Sequence, residues 1–236
     1  LGMQSGFAYS RTNGSLWHLR NTGQNGGVSG ADIHAVTGWD IQSSASDVIV
    51  AMIDSGIHMT HEDLAANLWT NPNEVAGNNR DDDGNGYIDD VHGINAIVAQ
   101  NSANSGNPDD DQGHGTLTAG VVGAVGSNGL GVTGVAWHVK LMALKFLGSD
   151  GSGVSSDEVE CINYAIANRA NIINASYGGA GYSKAVSDAL KQAQSAGIIV
   201  VAAAGNDGKD VDFTSNYPAN FQLDNVISVA NTDRTD

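Results

Sequence analysis

Asp54 and His114 are the two side chains whose types and settings suggest proton chemistry. Asp54 closes the aliphatic run VIVAMID (48–54), the pattern of a strand buried on both faces, and Ser55 and Gly56 follow it. A carboxylate buried without a partner is costly, so such a residue calls for one. His114 is the best-placed partner: in DQGHGTLTAG it stands between two glycines where a helix begins. Gly115 lowers helix propensity at that point, so something other than propensity must require it. A carboxylate that fixes a histidine's tautomer and stabilises its protonated form is the orienting half of a Ser-His-Asp arrangement. Spacing alone leaves open a second reading, two unrelated structural residues.

A second cluster has metal-ligating chemistry. In DDDGNGYIDD (81–90), Asp81, Asp83 and Asn85 take positions 1, 3 and 5 of a calcium loop, and Gly86 takes the tight sixth position. Tyr87 offers its backbone carbonyl and Asp89 stands at position 9. Position 12 is His92 rather than a bidentate Glu, so the loop is not a complete EF-hand, and Asp90 or Glu74 is expected to complete the shell. The competing reading is a solvated acidic loop. So many close carboxylates repel one another unless a cation sits among them, which favours Ca2+.

These residues need elements to position them. Residues 1–45 are polar and Gly-rich and read as an irregular arm with a short helix near 33–39. Strands are expected at 48–53, 91–98, 138–146, 171–176, 198–205 and 225–230. Helices are expected from Gly113, over 155–169 and over 182–197. Ser155 and Glu158 form a capping-box pattern, and Gly197 is placed to end the last helix. Alternating strands and helices predict an α/β fold: a doubly wound, mostly parallel sheet with helices on both faces. In such sheets ligands bind beyond the carboxyl ends of the strands, where Asp54, Gly148–Gly153, Ser176–Gly179 and Gly205–Asn206 all fall.

Composition narrows the partners. Asp plus Glu number 26 against 10 Lys plus Arg, and a net charge of −16 argues against nucleic acid and anionic membranes. The length fits one large domain. The single cysteine, Cys161, excludes a disulfide within the chain and reads as core. No stretch is long and apolar enough for a membrane span, and LGMQSGFAYSRTNG lacks the regions of a signal peptide.

MIDSGIHMTHEDL and GHGTLTAG closely resemble the Asp and His motifs of subtilisin-like serine proteases, the subtilase family. NIINASYGG resembles the family's strand that pairs with the substrate backbone, and VVAAAGNDG the segment carrying its oxyanion-hole asparagine, here Asn206 after Gly205. The likeness runs from about Trp17 to the last residue, with the motifs in the family's order. It implies that Asp54 orients His114, that His114 is the general base, and that Asn206 donates to the oxyanion. It implies that LGSDGSG lines the substrate, with Gly151 and Gly153 near its backbone, opposite a wall of Ser176, Tyr177 and Gly178. An extended protein or peptide substrate would add there like another strand. The resemblance also implies a second Ca2+ site, from Asp63, Asn128 and the carbonyls of Val125, Leu130 and Val132. A helix-capping Asp and an ordinary turn are the alternative. Export and a propeptide are implied too, and Tyr217-Pro218 is a candidate cis peptide.

Two departures matter. The family's nucleophile lies in a Gly-Thr-Ser-Met-Ala type motif, which occurs nowhere in these residues. The sequence therefore reads as the N-terminal part of one peptidase domain, with residues 70–112 an acidic calcium-binding insertion, truncated before the serine. The alternative is a non-catalytic, calcium-stabilised peptide-binding module. Leu117 stands where the family commonly has a second histidine and is expected to pack behind the base. Ser55 reads as a turn residue rather than a substitute nucleophile. GLGVTG (129–134) follows a helix and precedes a strand, the wrong context for a dinucleotide fingerprint. LGSDGSG lies between a strand and a helix but spaces its glycines wrongly and is followed by a strand, NIINAS, with no acidic residue; both weaken a third reading, nucleotide binding. His58, His61 and His92 form no zinc pattern and read as loop or calcium-neighbour residues.

Overall fold

The aliphatic runs become the middle of a parallel sheet in the computed structural model, which describes residues 16–236. The strands are β1 (Ser44–Asp54), β2 (Gly93–Asn95), β3 (His138–Lys145), β4 (Ile172–Ala175), β5 (Ile199–Ala203) and β6 (Val226–Val229). Their order is β2-β3-β1-β4-β5-β6, and every neighbouring pair is parallel. β1 lies near the middle because both of its faces are apolar. Ala51 and Ile53 belong to one core, and Val50 and Met52 to the other.

Helices cover both faces, as the alternation predicted. α1 (Ala35–Trp39) lies in the N-terminal arm, where Trp39 Nε1 donates to the Val135 carbonyl at 2.8 Å. Residues 1–15 of that arm lie outside the described residues. α2 (His114–Gly123) packs Ala119 against the Val50 and Met52 face. α3 (Ser155–Ala167) and α4 (Lys184–Ser195) cover the other face through Cys161, Ile162, Ala165, Val186, Ala189 and Leu190. Cys161 is thus core, as expected. Among the described residues no helix is long and apolar enough to cross a membrane.

Element ends depart from the sequence reading for local reasons. β1 starts earlier because Ser44 pairs with His138 before a register shift. β2 is shorter than 91–98 because the Asn95 side chain accepts the Ile97 N–H at 3.2 Å and turns the chain out of the sheet. α4 ends as expected: Gly197 takes φ 78°, and Ile198 N donates to the Ala193 carbonyl at 2.9 Å. The capping box at α3 does not form. Val154, extended at φ −117° and ψ 152°, is the N-cap, so Ser155 already lies inside the helix. Glu158 is turned to another partner: its Oε1 accepts the Tyr177 hydroxyl at 2.8 Å.

Candidate active site

Asp54 is the last residue of β1 and is fully buried. Gly113 precedes α2 at φ 103°, a left-handed conformation that suits glycine, and His114 is the first residue of the helix. The turn brings His114 Nδ1 to 2.8 Å from Asp54 Oδ1 and 3.0 Å from Oδ2. The bond to a carboxylate assigns the proton to Nδ1 and leaves Nε2 as the acceptor. The imidazole is 45% exposed while the carboxylate is covered, so the ring is the face that another molecule can reach. Asp54 Oδ1 also accepts the Ser55 N–H at 2.7 Å, and the Thr118 hydroxyl lies 3.3 Å from Oδ2.

Ser55 braces this pair together with Asp110 and Lys145, two residues that carried no expectation from the sequence. Ser55 is buried; its Oγ accepts the Gly115 N–H at 2.9 Å and donates to Asp110 Oδ1 at 2.9 Å. It is a brace, not an exposed hydroxyl, in keeping with its reading as a turn residue. Asp110 also accepts from Gln112 N, Gly113 N, Thr116 N and Thr116 Oγ1, at 3.0, 2.8, 3.0 and 2.5 Å. Burial pushes the Asp110 carboxyl up, but these hydrogen bonds together outweigh it and hold the pKa down at about 2. Lys145, the cross-strand neighbour of Asp54, is buried. Its ammonium donates to the carbonyls of Ser55 and Leu147 at 2.7 and 2.9 Å and to Asp111 at 2.6 Å. A lone lysine among aliphatic residues in LMALKF was the available signal for it. Gly115 earns its place by contact: a Cβ there would stand 2.1 Å from the Gly56 carbonyl oxygen. Leu117, expected to pack behind the base, is instead 72% exposed, because α2 turns that position to solvent.

Two backbone walls stand at the carboxyl ends of β3 and β4. In the first, Gly151 takes φ 76° and Gly153 passes so close to Phe146 that a Cβ would meet its carbonyl oxygen at 2.6 Å. The second runs through Ser176, Tyr177 and Gly178, where a Cβ on Gly178 would meet Asn216 Oδ1 at 2.3 Å. Gly179 and Tyr217 exchange backbone hydrogen bonds at 3.0 and 2.8 Å, and Tyr217-Pro218 is cis. After β5, Gly205 takes φ 110° and Asn206 follows it, exposed.

In the acidic segment the structure brings Glu74, Asp83 and Asp90 together, with one carboxylate oxygen of each within 4.8 Å of the others. Among the described residues this is the only group of His, Cys, Asp and Glu so arranged, so His58, His61 and His92 form no metal cluster. Glu74 Oε2 is buried without a hydrogen-bond partner. Burial raises the Glu74 pKa, and the Asp90 and Asp83 charges add to it against the Asp82 N–H. Burial raises Asp90 too, against hydrogen bonds from Tyr164 and Asn85. Asp81 and Asp89 face backbone instead. Asp81 accepts from Gly84, Asn85 and Gly86 N–H groups, and Asp89 from those of Asn78 and Asn79. Asn85 caps the Tyr87 N–H with its Oδ1 and donates to Asp90 with its Nδ2. At the second position Asp63 is buried; it accepts from Asn128 Nδ2 at 2.7 Å and Val132 N at 2.9 Å, while its carbonyl accepts the Val125 N–H at 2.9 Å. Leu130 N bonds to Asn128 Oδ1 at 2.9 Å in the same loop.

Comparison with known proteins gives this geometry relatives. A family model described as the subtilase family matches residues 45–236. Subtilisin-like protease 1 of Plasmodium vivax is 37% identical over 199 residues, 78% of this chain and 31% of the relative. The cell wall-associated protease of Bacillus subtilis is 34% identical over 222 residues, 93% of this chain and 21% of its own length. Thermitase of Thermoactinomyces vulgaris is 32% identical over 204 residues, 86% of this chain and 61% of its own. The chain thus spans about a third of the length of the Plasmodium relatives it matches.

Proposed function

This chain belongs to the subtilase family, and from that premise we propose that it is the N-terminal part of a calcium-stabilised serine endopeptidase domain. The observation that carries the reading is the buried Asp54 carboxylate, 2.8 Å from Nδ1 of a half-exposed His114. The nucleophilic serine is supplied by sequence outside these residues. In the acylation step the serine hydroxyl loses its proton to His114 Nε2 and its oxygen attacks the scissile carbonyl carbon. The Asn206 amide donates to the resulting oxyanion. When the C–N bond breaks, His114 returns the proton to the leaving amine, while Asp54 stays ionised and steadies the imidazolium. An extended peptide lies between Gly151–Gly153 and Ser176–Gly178, with Gly205 at the end of the cleft. Protein substrates, a propeptide and a secreted, extracellular setting accompany this reading.

Glu74, Asp83 and Asp90 would hold one Ca2+, and the unpartnered Glu74 Oε2 supports the fit. Bound Ca2+ would supply positive charge that ties the segment to the rest of the fold. Asp81, Asn85 and Asp89 shape that loop around the carboxylates through their hydrogen bonds, and the Tyr87 carbonyl would be a further ligand. Asp63, Asn128 and the carbonyls of Val125, Leu130 and Val132 would make the second site.

Asp54→Asn in the full-length protein tests the triad. It should lower kcat by about 10⁴-fold with KM little changed, since the amide favours the wrong tautomer of the base. A loss under about tenfold in a well-folded variant would refute the roles given to Asp54 and His114. Peptide binding with no turnover in the wild-type protein would favour a non-catalytic peptide-binding module instead.

A further inference from the structure

Between the two walls lies a cavity of about 380 Å³. Four aromatic rings line it in two pairs. Phe146 and Tyr177 have centroids 4.6 Å apart, and so do Tyr217 and Phe221. Glu158, only 8% exposed, brings the one carboxyl that the described residues place in this lining. Its Oε1 accepts the Tyr177 hydroxyl at 2.8 Å, and among the described residues no Lys, Arg or His lines the cavity with it. Burial pushes the Glu158 pKa up and only the Tyr177 hydrogen bond pulls it back.

We propose that this cavity is a substrate subsite selecting a lysine or arginine side chain, with the Glu158 carboxylate as acceptor and the aromatic rings as walls. This rests on the reading of the chain as a peptidase whose substrate runs between the two glycine walls. A buried carboxylate with no opposing charge is costly, and a ligand that brings a cation offsets that cost. The long methylene stem of Lys or Arg suits the apolar sides, while the charged head finds ring faces and a carboxylate. An apolar side chain would desolvate Glu158 further without giving it a partner, and an acidic one would add repulsion. The net charge of −16 favours the approach of basic peptides over acidic ones.

The test is a positional scan of fluorogenic peptides on the full-length protein, varying each residue on the amino side of the cleaved bond among Lys, Arg, norleucine and Glu. At one position Lys or Arg should exceed norleucine in kcat/KM by roughly 10- to 100-fold, the range of a charge-assisted hydrogen bond in a desolvated site. In Glu158→Gln, which keeps an acceptor for Tyr177, the Lys-to-norleucine ratio at that same position should fall to within about threefold of one. The ratio is internal to each enzyme, so a general loss of activity does not mimic it. Cleavage with no basic preference at any position, or a preference unmoved by Glu158→Gln, overturns the subsite while leaving the peptidase reading standing. If Glu158→Gln does not fold, the wild-type scan still decides. Failure of every peptide to be cleaved refutes the peptidase reading and the subsite with it.

Discussion

Asp110→Asn tests how the start of α2, and hence His114, is held. The carboxylate receives Ser55 Oγ, Gln112 N and Gly113 N on Oδ1, and Thr116 N and Thr116 Oγ1 on Oδ2. An amide has one oxygen, so in the variant one of these two groups of donors faces an N–H instead. The pKa, lowered from 3.8 to about 2, caps the charge-linked share near 2.5 kcal/mol. Asp110 is only partly buried, and solvent screening reduces that share to about 1 kcal/mol. With a donor left facing a donor, the expected loss is about 1–2 kcal/mol, or a melting temperature lower by roughly 2–8 °C. The pH dependence has a definite sign. A carboxyl whose folded pKa is depressed stabilises the fold above its unfolded pKa, near 4, and that contribution fades as pH falls toward about 2. Thermal unfolding of both proteins followed by circular dichroism between pH 7 and pH 2 reads this directly. The gap between them should be full at pH 7 and pH 5 and should shrink below about pH 4. No gap at pH 7, or an undiminished gap at pH 2, would show that Asp110 does not act as a charged acceptor.

A chelator should lower the melting temperature of the calcium-loaded protein by roughly 5–10 °C, the effect of losing about 2.7 kcal/mol of ion binding. Glu74→Gln should cut that response, because it removes a carboxylate that faces two others, and an unchanged response would exclude Glu74 as a ligand. Gly115→Ala should destabilise by more than about 2 kcal/mol, since its Cβ would meet backbone at 2.1 Å. Gly120→Ala in the same helix meets nothing within 4 Å and should stabilise by up to about 1 kcal/mol. Equal effects of the two, read by urea unfolding, would show that the approach of α2 to Gly56 is not tight.

What could be read from the sequence was what depends on neighbours along the chain. The apolar run before Asp54 and the glycines around His114 each carry their meaning within about ten residues, so the β1 end and the α2 start were both legible. The fold class followed from the same periodicities. The braces were not legible, because their partners lie far off in sequence: Lys145 reaches Ser55 and Asp111, and Asn216 backs Gly178. The acidic loop was legible as a cluster, and Asp83, Asp90 and Glu74 were all in the expected set; what the loop spacing did not separate was these three from Asp81 and Asp89. Position along the chain suggested Asp81 and Asp89, whereas tight turns spend both on backbone N–H groups and leave Glu74, Asp83 and Asp90 facing one another.

Glu158 shows the limit most sharply. Ser155-x-x-Glu158 is a sound capping-box pattern, and nothing local distinguishes it from a helix whose fourth residue turns inward. The decision belongs to Tyr177, 19 residues away across α3 and β4, whose hydroxyl holds the carboxylate at the cavity. A backbone N–H at a helix end can be satisfied by water, whereas a phenol in an aromatic cavity needs a protein partner, so the inward position wins. The consequence is a carboxyl taken from a surface role, where it would affect only helix stability, and placed where a substrate side chain would meet it. The carboxyl's place in this cleft is set by a contact between α3 and the segment that follows β4 rather than by any motif that names the family.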